Sequence, residues 1–271
     1  MKRLVTLLAV LLALLISAGW TQQVSAKPNY YDTFSRSWLD PTKWSRGLNC
    51  GSDTLECVRE IQNGRLRLEI RNMGDPSVNS GFAYESNDLY FSDPSAISSS
   101  SITTDVTLGH VNVKHCPTNP AEQSKTIVKI TGSSFNTGTG DPADDVWNDL
   151  YLWVDDSNPT TMLVGDWLGY LGIGADLGSY PIGTSLRLTN TWDKVNHQFI
   201  SVAMIKGDPS SAKTVVVPYQ LSDATPPANP VKLLTVMAYS PNCSSMLATT
   251  ESEAFFDNVV TSPALPNKGK Q

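Results

Sequence analysis

The chain has 271 residues, a formal net charge of −6 and a pI near 5.0. Only 17% of its residues are charged, and it carries 18 Gly and 17 Pro. The acidic balance excludes a nucleic-acid surface, which needs a basic patch, and the composition points to a loop-rich β protein.

Residues 1–26 carry the three parts of a secretory signal peptide. Lys2 and Arg3 give the positive start, residues 4–16 are almost wholly apolar, and Val24-Ser25-Ala26 is a small-residue cleavage site. The apolar run is short for a bilayer span and no second run follows, so no membrane span is expected after cleavage. The mature chain is expected to begin at Lys27 and to be secreted or periplasmic. One domain is expected over residues 27–261, followed by a flexible tail at 262–271.

All four cysteines, Cys50, Cys57, Cys116 and Cys243, lie in the mature part. An even number in an exported chain implies disulfides. Three pairings are possible, of which Cys50–Cys57 is the natural local one and would leave Cys116 with Cys243. There is no C-x-x-C spacing, and His110, His115 and His197 form no ligand pattern.

In chain order, the first clear strand is residues 64–71. Leu66, Leu68 and Ile70 alternate there with Arg65, Arg67, Glu69 and Arg71, and Asn63-Gly64 ahead of them is a tight-turn dipeptide. Further strands are expected at 81–84, 101–108, 126–131, 146–156, 163–168, 185–188, 197–206, 213–218, 232–239 and 254–261. The turn-rich stretches are 92–100, 137–144, 155–161, 169–183 and 222–230. Tyr170 and Tyr180, in the fourth of these, are candidates for rim contacts. Strands at this spacing without helices or repeats mean a sandwich, jelly roll or barrel.

The stretch 146–156, V-W-N-D-L-Y-L-W-V-D-D, has a strict period of two. Val146, Leu150, Leu152 and Val154, interrupted by Asn148, make a core face. Trp147, Asp149, Tyr151, Trp153 and Asp155 make the other. Rings beside fixed acceptors suit a sugar, whose C–H face packs on the ring while its hydroxyls donate to the acid. A strand buried on both faces is the plain alternative, since strands favour aromatic residues anyway.

Both ends of the chain carry a family resemblance. Tyr31-Asp32-Thr33-Phe34, Leu39-Asp40, Lys43-Trp44 and residues 63–68 resemble the start of concanavalin A-like lectin/glucanase jelly rolls, best known from the family 16 glycoside hydrolases. Ala254-Phe255-Phe256-Asp257-Asn258-Val259-Val260 resembles their last strand. The resemblance implies an all-β jelly-roll sandwich of two antiparallel sheets, with the 146–156 strand on the concave one. It also implies a structural Ca²⁺ held by the carbonyls of Thr33 and Gly64 and by Asp257, hard oxygen donors that suit calcium.

The family's catalytic motif, E-x-D-x-E, is absent. The corresponding strand runs Asp149-Leu150-Tyr151-Leu152-Trp153, and only Asp149 is acidic. A retaining glycosidase needs two carboxyls about 5–5.5 Å apart, and Tyr and Trp cannot replace a raised-pKa acid. Of the other acids, Asp141, Asp144, Asp145, Asp155, Asp156 and Asp166, most are turn formers by context. Asp145 and Asp155 remain weak catalytic candidates with Asp149. A lyase would need a Tyr or His base, but the adjacent His197 and Gln198 face opposite ways on a strand. The expected function is carbohydrate binding without cleavage, with a divergent hydrolase or lyase and a structural envelope protein as alternatives.

Overall fold

The computed structural model describes residues 29–47, 55–244 and 248–262. The expected signal peptide and most of the expected tail lie outside them, as does Cys50.

Two seven-stranded sheets pack face to face. The first runs β1 (Trp44–Arg46), β4 (Phe82–Phe91), β13 (Lys232–Pro241), β6 (Lys125–Asn136), β7 (Asp145–Asp155), β8 (Thr161–Leu168), β9 (Ile173–Pro181). The second runs β12 (Lys213–Pro218), β11 (Gln198–Ile205), β10 (Ser185–Asp193), β5 (Ser101–Asn112), β14 (Thr250–Ser262), β3 (Arg65–Asn72), β2 (Leu55–Gln62). Every named strand pairing is antiparallel. The expected jelly-roll sandwich is therefore the observed fold. Among the described residues, the only α-helix is the single turn α1 (Pro94–Ile97), capped by Asp93. No helix among them is long and apolar enough to cross a membrane.

Local chemistry explains the strands. In β3, Leu66, Leu68 and Ile70 are fully buried while Arg67 bonds outward to Glu60 and Glu253. Asn63 and Gly64 both take positive φ, 54° and 71°, and Gln62 pairs with Arg65. That is the two-residue turn that matches strand twist. The core lies between the inner faces, where Val128, Ile130, Leu150, Leu152, Leu186, Leu188 and Phe256 meet. Each such side chain contributes roughly 1.5–3 kcal/mol by leaving water.

The N-terminal motif ties the two ends of the chain together. Asp32 bridges to Val259 of β14, and its carboxylate accepts from Phe34 N at 2.8 Å and Trp44 Nε1 at 2.7 Å. Cys116 is disulfide-bonded to Cys243, the pairing left once Cys50 and Cys57 are joined locally. Cys57 is disulfide-bonded too.

Three expectations change. Residues 169–183 are not all loop, because β9 occupies their second half and pairs with β8 from Leu168 to Thr161. Tyr180 accordingly belongs to the core, while Tyr170 stays exposed. Asp166 is not a turn former either: it is fully buried between the sheets. β2 was hidden from pattern reading because its edge position leaves Glu56, Arg59 and Glu60 free to be charged.

Candidate functional site: the outer face of the first sheet

β7 presents the two faces its period requires. Val146, Asn148, Leu150, Leu152 and Val154 are buried, and Trp147, Tyr151 and Trp153 are partly exposed on the opposite side. Asn148, the break in the apolar face, is held inside the core through its amide nitrogen, while its buried Oδ1 accepts no hydrogen bond. Its Nδ2 donates to Asn190 Oδ1 at 2.8 Å and to Ser201 Oγ at 3.2 Å, and Ser201 Oγ donates to Asp166 Oδ2 at 3.0 Å. Burial raises the Asp166 pKa.

The aromatic residues of β7 lie across glycines. A Cβ on Gly169 would stand 2.0 Å from Trp147 Cε2, and one on Gly165 would stand 2.7 Å from the Tyr151 hydroxyl. Close approach of rings to backbone is the reason for glycine at both places. The loop after β8 therefore covers Trp147, and the open end of the strand is at Trp153.

Asp149 is not a free acceptor. It is only 7% exposed; Lys129 Nζ donates to Oδ2 at 2.8 Å and Thr131 Oγ1 to Oδ1 at 2.5 Å. Both partners sit beside it on β6, where Thr131 is its direct cross-strand neighbour. Asp149 thus anchors Lys129 on the outer face.

β4, β6 and β13 complete an aromatic band that extends the platform expected on β7. Register places Tyr84 opposite Tyr239, Tyr239 opposite Lys125, and Trp153 between Ile127 and Leu163. Tyr84 and Tyr239 stack with centroids 5.5 Å apart, and Phe82 lies 5.6 Å from Tyr239. Lys125 Nζ stands 5.3 Å from the Trp153 ring and 4.7 Å from Tyr239, a cation–π bridge between strands. Tyr84, at 59%, is the most exposed of these rings; Phe82 is exposed beside it, and Leu163 is exposed next to Trp153 at the other end of the band. Burial, followed by Tyr84 and Asp149, raises the Tyr239 pKa, and burial raises that of Tyr151. Both phenols are protonated donors at neutral pH. Sequence reasoning missed Phe82, Tyr84, Lys125 and Tyr239, because nothing in the linear order says that β13 lies between β4 and β6.

The weak catalytic candidates are each engaged elsewhere. Asp145 Oδ1 accepts from Asn136 Nδ2 and Ala228 N, and Oδ2 from Asn229 N, all at 2.8 Å. Asp155 closes a turn by accepting from Ser157 and Asn158. A strand advances about 3.3 Å per residue, which puts Asp145 and Asp149 about 13 Å apart and Asp149 and Asp155 about 20 Å apart. Neither separation matches the roughly 5–9.5 Å spacing of glycosidase carboxyls. Gln198 opens β11 of the second sheet and bonds Asp193, whereas His197, expected on that strand, ends the turn before it with a φ of 49° and meets Asp223 through Nδ1 at 3.1 Å.

The segments that carry the expected calcium ligands are neighbours: Asp32 bridges to Val259, and Leu66 pairs with Phe256. Asp257 accepts from Asn258 N at 2.7 Å, and Lys206 Nζ stands 3.8 Å from its Oδ2.

No family model matches the chain, and no curated protein matches it. Solved structures similar to it include a β-1,3-glucanase from Mycobacterium marinum, 11% identical over 87% of this chain and 99% of that one, with a TM-score of 0.44. The PL-14 alginate lyase from Aplysia kurodai is 11% identical over 80% of this chain and 90% of its own, with a TM-score of 0.39. Winged bean acidic lectin complexed with methyl-α-D-galactose is 12% identical over 80% and 99%, with a TM-score of 0.38. The likeness is one of fold. None of the three supplies a residue role for this chain.

Proposed function

We propose that the protein binds carbohydrate on the outer face of its first sheet and does not cleave it. The observation that carries this is the band of rings from three strands around Lys125, with Phe82 and Tyr84 exposed and Tyr239 and Trp153 half-buried beside them. Pyranose C–H faces pack on such rings, and the phenols and the ammonium donate to sugar oxygens. Trp147 and Tyr151 continue the surface along β7, and Asp149 fixes it from below through Lys129. The spacing of Asp145, Asp149 and Asp155 supports binding without hydrolysis. The disulfide supports an oxidising compartment, periplasmic or extracellular.

The test is a glycan-array screen on the mature chain with product analysis on every hit. Intact glycan should be retained, and Trp153→Ala should abolish retention without unfolding the protein. Released reducing or unsaturated ends would replace this reading with a hydrolase or lyase. Absence of any retention would favour a structural envelope role.

A structural Ca²⁺ on the carbonyls of Thr33 and Gly64 and on Asp257 belongs to the same proposal. The convergence of the three segments supports it, and the Lys206 ammonium is the competing cation.

A further inference from the structure

Away from the outer face, a cavity of about 530 Å³ opens at one end of the sandwich. Its walls include Ile97, Trp192, Pro226 and Pro227, with Lys194 and Asp223 also on its lining. Trp192 is fixed by its Nε1 bond to Tyr219 at 2.7 Å, and Lys194 Nζ lies 5.4 Å from its ring. Asp223 is engaged by Tyr219 and His197. A second void of about 10 Å³, lined by Lys232, shares Ser99, Ser133, Ser134 and Trp192 with the large cavity.

Lys232 is the unusual member. It is 4% exposed, and its Nζ donates to the Ile97 carbonyl at 2.5 Å. An ammonium has three donors. No carboxylate among the described residues lies within 4 Å of Nζ, whereas Lys129 and Lys206 on the sheet surfaces both have one. Burial alone pulls the Lys232 pKa down to about 8. An uncompensated buried charge is costly to the fold, and a chain carrying one at the floor of a cavity has a use for it.

We propose that this cavity binds a ring-bearing monocarboxylate, with the ring against Trp192 and the carboxylate against the Lys232 ammonium. The large cavity has the volume of a small-molecule site. The inner void admits one oxygen-sized atom. Two ammoniums, Lys194 and Lys232, and one carboxylate, Asp223, leave the two linked voids with one net positive charge, which favours a carboxylate over a phosphate dianion.

The test is calorimetric titration of the mature chain at pH 7 with glucuronate and with benzoate, and with the neutral methyl ester of each acid. Binding of an acid but not of its ester is expected, and which acid binds tells a sugar ring from an aromatic one. Lys232→Met should weaken that binding at least tenfold while raising the melting temperature, a combination that a merely structural lysine would not give. Ser134→Leu, which narrows the passage and leaves the ammonium in place, should weaken it as well. Trp153→Ala should leave it unchanged, which separates this site from the glycan platform. Saturation by neither acid, equal binding of the esters, or unaltered binding in both cavity variants would overturn the proposal.

Discussion

Tyr84 and Tyr239 stack across β4 and β13 with their rings 5.5 Å apart and 19° from parallel. The two residues are 155 positions apart in the chain, yet they form one surface. An aromatic pair of this kind contributes about 0.5–1.5 kcal/mol beyond its buried area. A sugar face stacked on the exposed side of Tyr84 gains an energy of the same order, so Tyr84→Ala should weaken glycan binding by about two- to tenfold, and loss of the stack on Tyr239 should lower the melting temperature by about 2–4 °C. An affinity equal to wild type, beside a loss in Trp153→Ala, would confine the binding surface to β7.

Gly169 faces the indole of Trp147 where its own Cβ would be. Gly169→Ala forces the ring or the loop aside, and overpacking of this kind costs about 1–3 kcal/mol. Urea denaturation should show that loss, with a red-shifted tryptophan emission as Trp147 is displaced. An unchanged midpoint would mean that the loop after β8 does not rest on Trp147.

Asp166 is fully buried, and its Oδ1 has no hydrogen-bond partner. Burial raises its pKa above the ordinary 3.8, with Ser201 opposing. A carboxyl whose folded pKa is raised contributes stability that is present below the unfolded pKa and is lost as pH rises through the folded one. Asp166→Asn keeps the shape and removes the ionisation. The stability of the variant relative to wild type should grow with pH from about 4, the unfolded Asp value, and level off above the folded pKa. Melting temperatures measured from pH 4 to 8 with a constant difference would refute this assignment.

If Ca²⁺ joins the N-terminal segment to β14, it stabilises the native state by mass action. Adding a chelator should then lower the melting temperature by several degrees, and excess Ca²⁺ should restore it. Asp257→Ala should remove the response. A chelator without effect would leave Lys206 as the cation that serves Asp257.

Two-faced strands, and so a sandwich, follow from the order of residues alone. A period of two in residues 64–71 and 146–156 is a local property, because successive side chains on a strand point to opposite faces. The order of residues also placed Trp147, Tyr151 and Trp153 on one face of β7 and isolated the pairing of Cys116 with Cys243 once the local pair was set aside. Only the tertiary structure decided which strands stand beside β7. Strand order in a sheet is set by long-range pairing, which leaves no mark on local spacing. Hence Tyr239 and Tyr84 joined Trp153 unannounced, Asp149 proved to be committed to Lys129 and Thr131, and Asp166 proved to face the core from its strand. Lys232 looked like any charged strand start in the sequence, and its burial arises from long-range packing: the Ile97 carbonyl of α1 takes its ammonium and Gly132 lies against its stem.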